Sequence, residues 1–316
     1  MTSVALIFPG QGAQEPGMGK DFYDTSSEAK AIFDNANTII PGLTDVIFNG
    51  PAEKLTLTAY CQPGIFTFSV AALSALKAHP KFKNLDPQFA CGLSLGEYSA
   101  LVACGALSFE ETLRLVERRS SFMEEATKVT KGKMAAVLGF SAIGGSASGG
   151  DKNKLVDICK ETGAQVANFN SPDQIVITGE ALKVEAACEK IKAAGAKRVI
   201  PLDVSGAFHS ELMRPAQEKF QVELQKINLN VPQFSILSNV DANPEKDPSR
   251  IKNNLATQIT SSVQWVDSIL KIKEKGVTTF LEIGPGTVLK GLIRKIDPSL
   301  QVFNIQKSAD IENLPL

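Results

Sequence analysis

The chain has 316 residues, with 33 Lys+Arg against 34 Asp+Glu, a net charge of −1, five cysteines and two histidines. The near-neutral balance excludes the clustered cationic surface of a dedicated nucleic-acid binder, and two imidazoles exclude a multi-histidine metal site. A length beyond the roughly 250–300 residues at which single cores stop growing points to one large domain plus a smaller one.

The first apolar run, Val4–Phe8, reads as a strand, and no basic region or long apolar stretch of a signal peptide accompanies it. Leu55–Leu76 is uncharged but contains Gln62-Pro63-Gly64 and several threonines. These argue against a membrane span of about 20 residues and predict instead a helix starting after Pro63, Ile65–Leu76. Gln88–Cys91 reads as a second strand, followed by a helix from Leu95, so the first half has α/β patterning. From Lys128 to Leu202 the order changes. Strands at Met134–Leu138, Gln165–Phe169, Gln174–Thr178 and Lys197–Leu202 alternate with helices at 151–161 and 181–194 as β-α-β-β-α-β, a ferredoxin-like unit. The segment Gly144–Gly150 reads as a surface loop within it. Strands at Phe234–Asn239 and Thr278–Ile283 resume the larger pattern. The expected division is therefore a core of residues 1–127 and 203–316, a parallel-sheet α/β unit, interrupted by a small domain at 128–202. Cys61, Cys91, Cys104, Cys159 and Cys188 are odd in number with no C-x-x-C pair, which predicts reduced thiols. The expectation is a cytoplasmic protein, or an organellar one from which a transit peptide has been removed.

Gly92-Leu93-Ser94-Leu95-Gly96 matches G-x-S-x-G, and its setting between a buried strand and a helix is that of a nucleophile elbow. A sharp strand-to-helix turn lifts the serine oxygen above the sheet, and the amide after it can donate to an oxyanion. The alternative is a glycine-rich turn with an incidental serine. A serine needs a base. His79 sits in Lys77-Ala78-His79-Pro80-Lys81, a charged and proline-broken helix end that predicts solvent exposure. His209 follows Val204-Ser205-Gly206-Ala207-Phe208, where a glycine turn brings the chain to the sheet edge that collects active sites in open α/β folds. It is either the base or a satisfied structural histidine.

Drawn at ~100° per residue, the helix around Phe109–Ala126 places Phe109, Leu113, Val116, Phe122 and Met123 on one half, and Arg119 projects into the middle of that apolar half. Burying a guanidinium without an anion costs several kcal/mol. Its partner is either an internal carboxylate or the carboxylate of a substrate held bidentately.

Together these residues resemble the malonyl-CoA:acyl carrier protein transacylase family. The likeness runs from Phe8-Pro9-Gly10-Gln11-Gly12 to Glu282-Ile283-Gly284-Pro285-Gly286 and includes Ser94-Leu95-Gly96-Glu97-Tyr98-Ser99, Arg114-Leu115-Val116-Glu117 with Arg119, Asn168-Phe169-Asn170-Ser171-Pro172, and Val263-Gln264-Trp265. The resemblance implies an α/β-hydrolase-like core with a ferredoxin-like insertion. It implies that Ser94 attacks the malonyl thioester of coenzyme A with His209 as base, that the backbone N–H groups of Gln11 and Leu95 hold the oxyanion, and that Arg119 holds the free carboxylate. It further implies that a backbone carbonyl at Gln258 orients the histidine. The malonyl-serine then passes its acyl group to the phosphopantetheine thiol of acyl carrier protein, supplying fatty acid biosynthesis. Phe208 implies little room for an α-methyl branch. No metal or organic cofactor, nucleic acid or membrane is expected, and the expected state is a monomer. This chain carries Leu93 where most members have histidine, and Ser261-Ser262 where they have a proline-containing turn.

Acyl carrier protein is acidic, so a basic docking patch is expected, with Lys197-Arg198 near Lys190 and Lys192, and Arg294-Lys295, as candidates. Two other function classes compete. A serine esterase would carry its acid between serine and histidine, where Asp173 and Asp203 qualify by order. A dinucleotide-binding module is suggested by Gly10-Gln11-Gly12, but Glu15 stands where the fingerprint needs its third glycine.

Overall fold

The computed structural model describes residues 1–142 and 152–315. Ten strands lie among them: β1 (Thr2–Phe8), β2 (Leu85–Gly92), β3 (Gly132–Leu138), β4 (Gln165–Ser171), β5 (Gln174–Glu180), β6 (Arg198–Pro201), β7 (Ser235–Leu237), β8 (Pro244–Glu245), β9 (Thr279–Ile283) and β10 (Gln301–Ile305). Six form a sheet in the order β10-β9-β1-β2-β7-β8, parallel except for the β7–β8 pair. Central β1 is apolar from Val4 to Phe8 and fully buried there, because helices cover both faces of a parallel sheet. In register, Phe8 lies beside Gly92 and Ile7 beside Glu282. The C-terminal ends of β1, β2 and β9 therefore share one edge, and the loops carrying Gln11 and Ser94 both leave from it. At the same edge the buried Glu282 carboxylate accepts from the Leu289 and Lys290 amides, an anion at the N-terminus of the Val288–Ile296 helix.

The second sheet, β4-β5-β3-β6, is antiparallel. Val137, Phe140, Ile175 and Ile177 pack there with Leu155 of the Lys152–Thr162 helix and Ile191 of the Ala181–Ala193 helix. The chain order of these elements is the predicted β-α-β-β-α-β. The predicted Gly144–Gly150 loop lies outside the described residues.

Some elements differ from the sequence expectation. The helix expected after Pro63 starts at Thr58 and runs to Ala78 with Pro63 inside it. An internal proline costs about 3 kcal/mol, but this helix is buried on nearly every side, and burial of Ile65, Phe66, Phe68 and Leu73 offsets it. By length and composition it is apolar enough to cross a membrane, and 83% of an 18-residue apolar stretch within it is buried inside the protein. Three helices near the N-terminus, Lys20–Thr25, Ser27–Ile39 and Leu43–Asn49, and the edge strand β10 were not expected. His79 is not free in solvent as predicted. Its Nε2 lies 3.0 Å from Glu312 Oε1, because the C-terminal segment folds back over that helix end and Lys81 Nζ donates to the Glu312 and Leu314 carbonyls. The five cysteines are free, four of them buried.

Candidate active site

The elbow is built by close packing. A Cβ on Gly92 would lie 2.0 Å from the Gly96 carbonyl carbon, and one on Gly96 would lie 2.1 Å from the Phe8 oxygen. Only glycine lets β2, the turn and β1 approach this closely. Between them Ser94 adopts φ 52°, and His209 adopts φ 59°. Side chains rarely hold this left-handed backbone unless their surroundings over-determine it. Asn239, past the end of β7, is one such constraint: its Oδ1 accepts from the Ser94 amide at 2.7 Å, and its Nδ2 donates to the Gly92 carbonyl at 2.7 Å.

His209 Nε2 lies 2.8 Å from Ser94 Oγ. Its Nδ1 lies 3.0 Å from each of two carbonyl oxygens, those of Gln258 and Ser261. Two acceptors at Nδ1 place the proton there, which leaves Nε2 free to accept from the serine hydroxyl. The segment with Ser261-Ser262 thus supplies one of the two acceptors, and Ser262 Oγ ties it to the Val166 carbonyl. Burial, with the Arg119 charge acting in the same direction, lowers the His209 pKa to about 4. A solvated imidazole titrates near 6.5; the difference comes from an imidazole only 4% exposed.

Arg119 is fully buried. Its Nη1 donates to Gln62 Oε1 at 2.6 Å, and its Nη2 donates to Ser94 Oγ at 3.0 Å and Gln258 Oε1 at 3.1 Å. The guanidinium lies over the Tyr98 ring, 5.3 Å from its centroid. Among the described residues no carboxylate comes within ion-pair distance of it, so the internal salt bridge considered from sequence is not formed, and its Nε has no partner. Gln62, Ser94, Arg119 and His209 face one cavity of about 180 Å³, lined also by Gln11, Leu95 and Phe208. That is smaller than the roughly 300–1,000 Å³ of drug-sized sites. Asn168 and Asn170 of β4 close it from the small sheet. Among the described residues, neither the Gln11 nor the Leu95 amide has a loop or turn acceptor.

Neither rival geometry is present. The two Nδ1 partners of His209 are carbonyls, whereas Asp173 accepts from Ser171 Oγ and lies near Lys295 and Asp203 is exposed. No helix opens after Gly10-Gln11-Gly12; the next begins at Lys20. Of the basic candidates, Lys190, Lys192 and Lys295 are paired with Glu161, Glu189 and Asp173, whereas Lys197, Arg198 and Arg294 are exposed.

Three residues of this network escaped the sequence reading: Gln62, Asn239 and Glu97. Glu97 left a signal, as the single charged residue between Asp86 and Glu110. Gln62 and Asn239 left none that distinguishes them from other amides.

The acyl transferase domain family matches residues 5–307. The chain belongs to the acyl transferase family. This acyltransferase is 44% identical over 315 residues to the malonyl CoA-acyl carrier protein transacylase of Bacillus subtilis (strain 168), covering 99% of this chain and 96% of the relative. It is 40% identical over 318 residues to the enzyme of the same name from Staphylococcus aureus (strain MRSA252), covering 99% and 98%. Its fold is that of the malonyl CoA-acyl carrier protein transacylase of Coxiella burnetii, with a TM-score of 0.91 at 33% identity over 99% of this chain and 96% of that one. It also matches a chain in the structure of a type II PKS acyl-carrier protein in complex with its malonyl-transacylase, with a TM-score of 0.89 at 35% identity over 99% of this chain and 98% of that one.

Proposed function

We propose that this acyltransferase moves a malonyl group from coenzyme A to the thiol of acyl carrier protein through a malonyl-Ser94 intermediate. The observation that carries the reading is the shared oxygen: Ser94 Oγ lies 2.8 Å from an imidazole nitrogen free to accept and 3.0 Å from a buried guanidinium nitrogen. The first contact suits a nucleophile, and the second places a carboxylate anchor within one short acyl group of it.

Ser94 Oγ attacks the thioester carbonyl while His209 Nε2 takes its proton, and the Nδ1 proton held between two carbonyls keeps the ring in the required tautomer. The Gln11 and Leu95 amides receive the oxyanion. On collapse the carbon–sulfur bond breaks, the coenzyme thiolate takes the proton from Nε2, and the thiol leaves. The carrier's phosphopantetheine thiol repeats the sequence in reverse, giving its proton to Nε2, attacking the serine ester and restoring the Ser94 hydroxyl. Arg119 holds the free malonyl carboxylate throughout, and the Phe208 ring limits substitution at the carbon between the two carboxyl groups. The chemistry requires no metal or organic cofactor. Exposed Lys197 and Arg198 would supply the basic patch that an acidic carrier calls for. The proposed reading extends to a monomer in the cytoplasm.

Arg119→Ala tests this reading. The loss of kcat/KM should be about 100-fold or more for malonyl-CoA and much smaller for acetyl-CoA, which has no second carboxylate. Equal losses for both thioesters would refute the anchor role.

A further inference from the structure

Glu97 is a buried acid that the proposed reaction does not use. It is 2% exposed, in the first turn of the helix behind Ser94, and its Oε2 accepts from Gln258 Nε2 at 2.7 Å and from the Asn239 amide at 3.1 Å. Those two residues are the ones that hold the reacting groups. Asn239 accepts from the Ser94 amide, and Gln258 presents its other amide atom, Oε1, to Arg119 Nη2. The carboxylate thus fixes which way the Gln258 amide points: with Nε2 held by Glu97, only the acceptor oxygen remains for the guanidinium. A fully buried arginine with no carboxylate in ion-pair range among the described residues receives its counter-charge from Glu97 through one oriented amide.

We propose that Glu97 is the proton-exchanging counter-ion of Arg119: when a substrate carboxylate binds the guanidinium, Glu97 loses its stabilising cation and takes up a proton from solvent. The proposal rests on the reading of Arg119 as the malonyl anchor and adds to it a linkage between proton uptake and substrate choice. The charge count requires a response, because two buried anions would otherwise share one cation. The proton goes to the carboxyl oxygen that does not receive the two N–H groups.

The groups facing Glu97 leave it as the one that exchanges near neutrality. Burial, with a smaller contribution from the Asp241 charge, raises its pKa to about 7 against the opposing effects of Gln258, Asn239 and Arg119. Burial pushes the Cys91 thiol and the Tyr98 phenol upward, out of this range. His209, lowered to about 4 by burial and Arg119, stays neutral at equilibrium at pH 7.5 and so takes up no proton from solvent on binding. Arg119 itself stays charged. Withdrawing the Arg119 cation raises the Glu97 pKa further. A rise of about one unit corresponds to uptake of about half a proton at pH 7.5 and about a tenth at pH 6, with malonyl-CoA bound about fivefold more weakly at pH 8 than at pH 6.

The experiment is calorimetric binding to the Ser94→Ala enzyme, which cannot be acylated. Malonyl-CoA and acetyl-CoA are each titrated at pH 6 and 7.5 in buffers of different ionisation enthalpy, and the acetyl-CoA value is subtracted to remove protons exchanged by the coenzyme's own phosphates. The expected result is malonyl-specific uptake of about half a proton at pH 7.5, nearly absent at pH 6, and abolished in Ser94→Ala/Glu97→Gln together with the pH dependence of affinity. Should the double variant not fold, the contrast between pH 7.5 and pH 6 in the single variant still decides. Preferential malonyl-CoA binding without uptake at pH 7.5, or uptake that survives Glu97→Gln in a folded protein, overturns the proposal while leaving the anchor intact. Equal affinity for the two thioesters removes the anchor, and the proposal falls with it.

Discussion

The six-stranded and four-stranded sheets use buried space in opposite ways. At the C-terminal edge of the parallel sheet, Ser94, Glu97, Arg119, His209, Asn239 and Gln258 are held by one another's hydrogen bonds, and two of them occupy left-handed backbone. The face of the antiparallel sheet that meets its helices is apolar, with Val137, Phe140, Ile175 and Ile177 against Leu155 and Ile191. The small unit closes the cavity with Asn168 and Asn170 but contributes neither member of the serine–histidine pair. Parallel strands bring the starts of several loops to one edge, so chemistry assembled there draws residues from distant parts of the chain. The antiparallel unit, closed on its own core, adds a wall. Changes at the parallel edge should therefore affect chemistry, and changes inside the small sheet should affect stability.

The largest expected effect is at the elbow. Ser94→Ala should abolish the acyl-enzyme and lower transfer by about 10⁴-fold or more, read by acid quench and steady-state rates; a surviving covalent adduct would place the nucleophile elsewhere. The pH response follows in size. His209 must be neutral to accept a proton, and with its pKa lowered to about 4 it stays neutral from pH 5 to 8. Its acid limb in kcat/KM should thus fall about tenfold per pH unit only below pH 4. An acid limb centred near 6.5 in the folded enzyme would mean a solvated imidazole and would break the contrast between the buried site and an ordinary surface. In the small sheet, Ile177→Val removes one methylene from a fully buried position. It should cost about 0.5–1.5 kcal/mol in denaturant unfolding, with transfer changed by less than about twofold at 25 °C. A large loss of rate with little loss of stability would show that the wall takes part in the chemistry. The smallest effect belongs to the exposed cations. Lys197→Glu with Arg198→Glu should raise KM for the carrier protein several-fold and leave acyl-enzyme formation from malonyl-CoA nearly unchanged; no change in carrier KM would move the docking surface elsewhere.

The elbow and Arg119 were legible in sequence because each breaks a local rule. Gly92 and Gly96 flank a serine between a strand and a helix, and a guanidinium interrupts an apolar stripe. The β-α-β-β-α-β order was readable from the alternation of short apolar runs. The Thr58–Ala78 helix was misread at its start because Pro63 is a local stop signal, whereas the benefit of burying that turn comes from packing against distant residues. Gln62 and Asn239 were invisible for a related reason. A single amide becomes functional only through partners 57 and 145 positions away. Glu97 was visible as an isolated charge in an otherwise uncharged stretch, but its connection to Arg119 passes through the Gln258 side chain and exists only in the folded chain. The pKa of His209 was beyond sequence as well, since it depends on burial and on a guanidinium brought in from another helix.

The most direct measurement is intact-mass analysis in two stages. Incubation with malonyl-CoA should add one malonyl group, mapped by peptide analysis to Ser94, and subsequent addition of the pantetheinylated carrier should remove that mass from the enzyme and place it on the carrier thiol. An adduct discharged to water at the same rate with or without the carrier, or no adduct at Ser94, would contradict the transferase account.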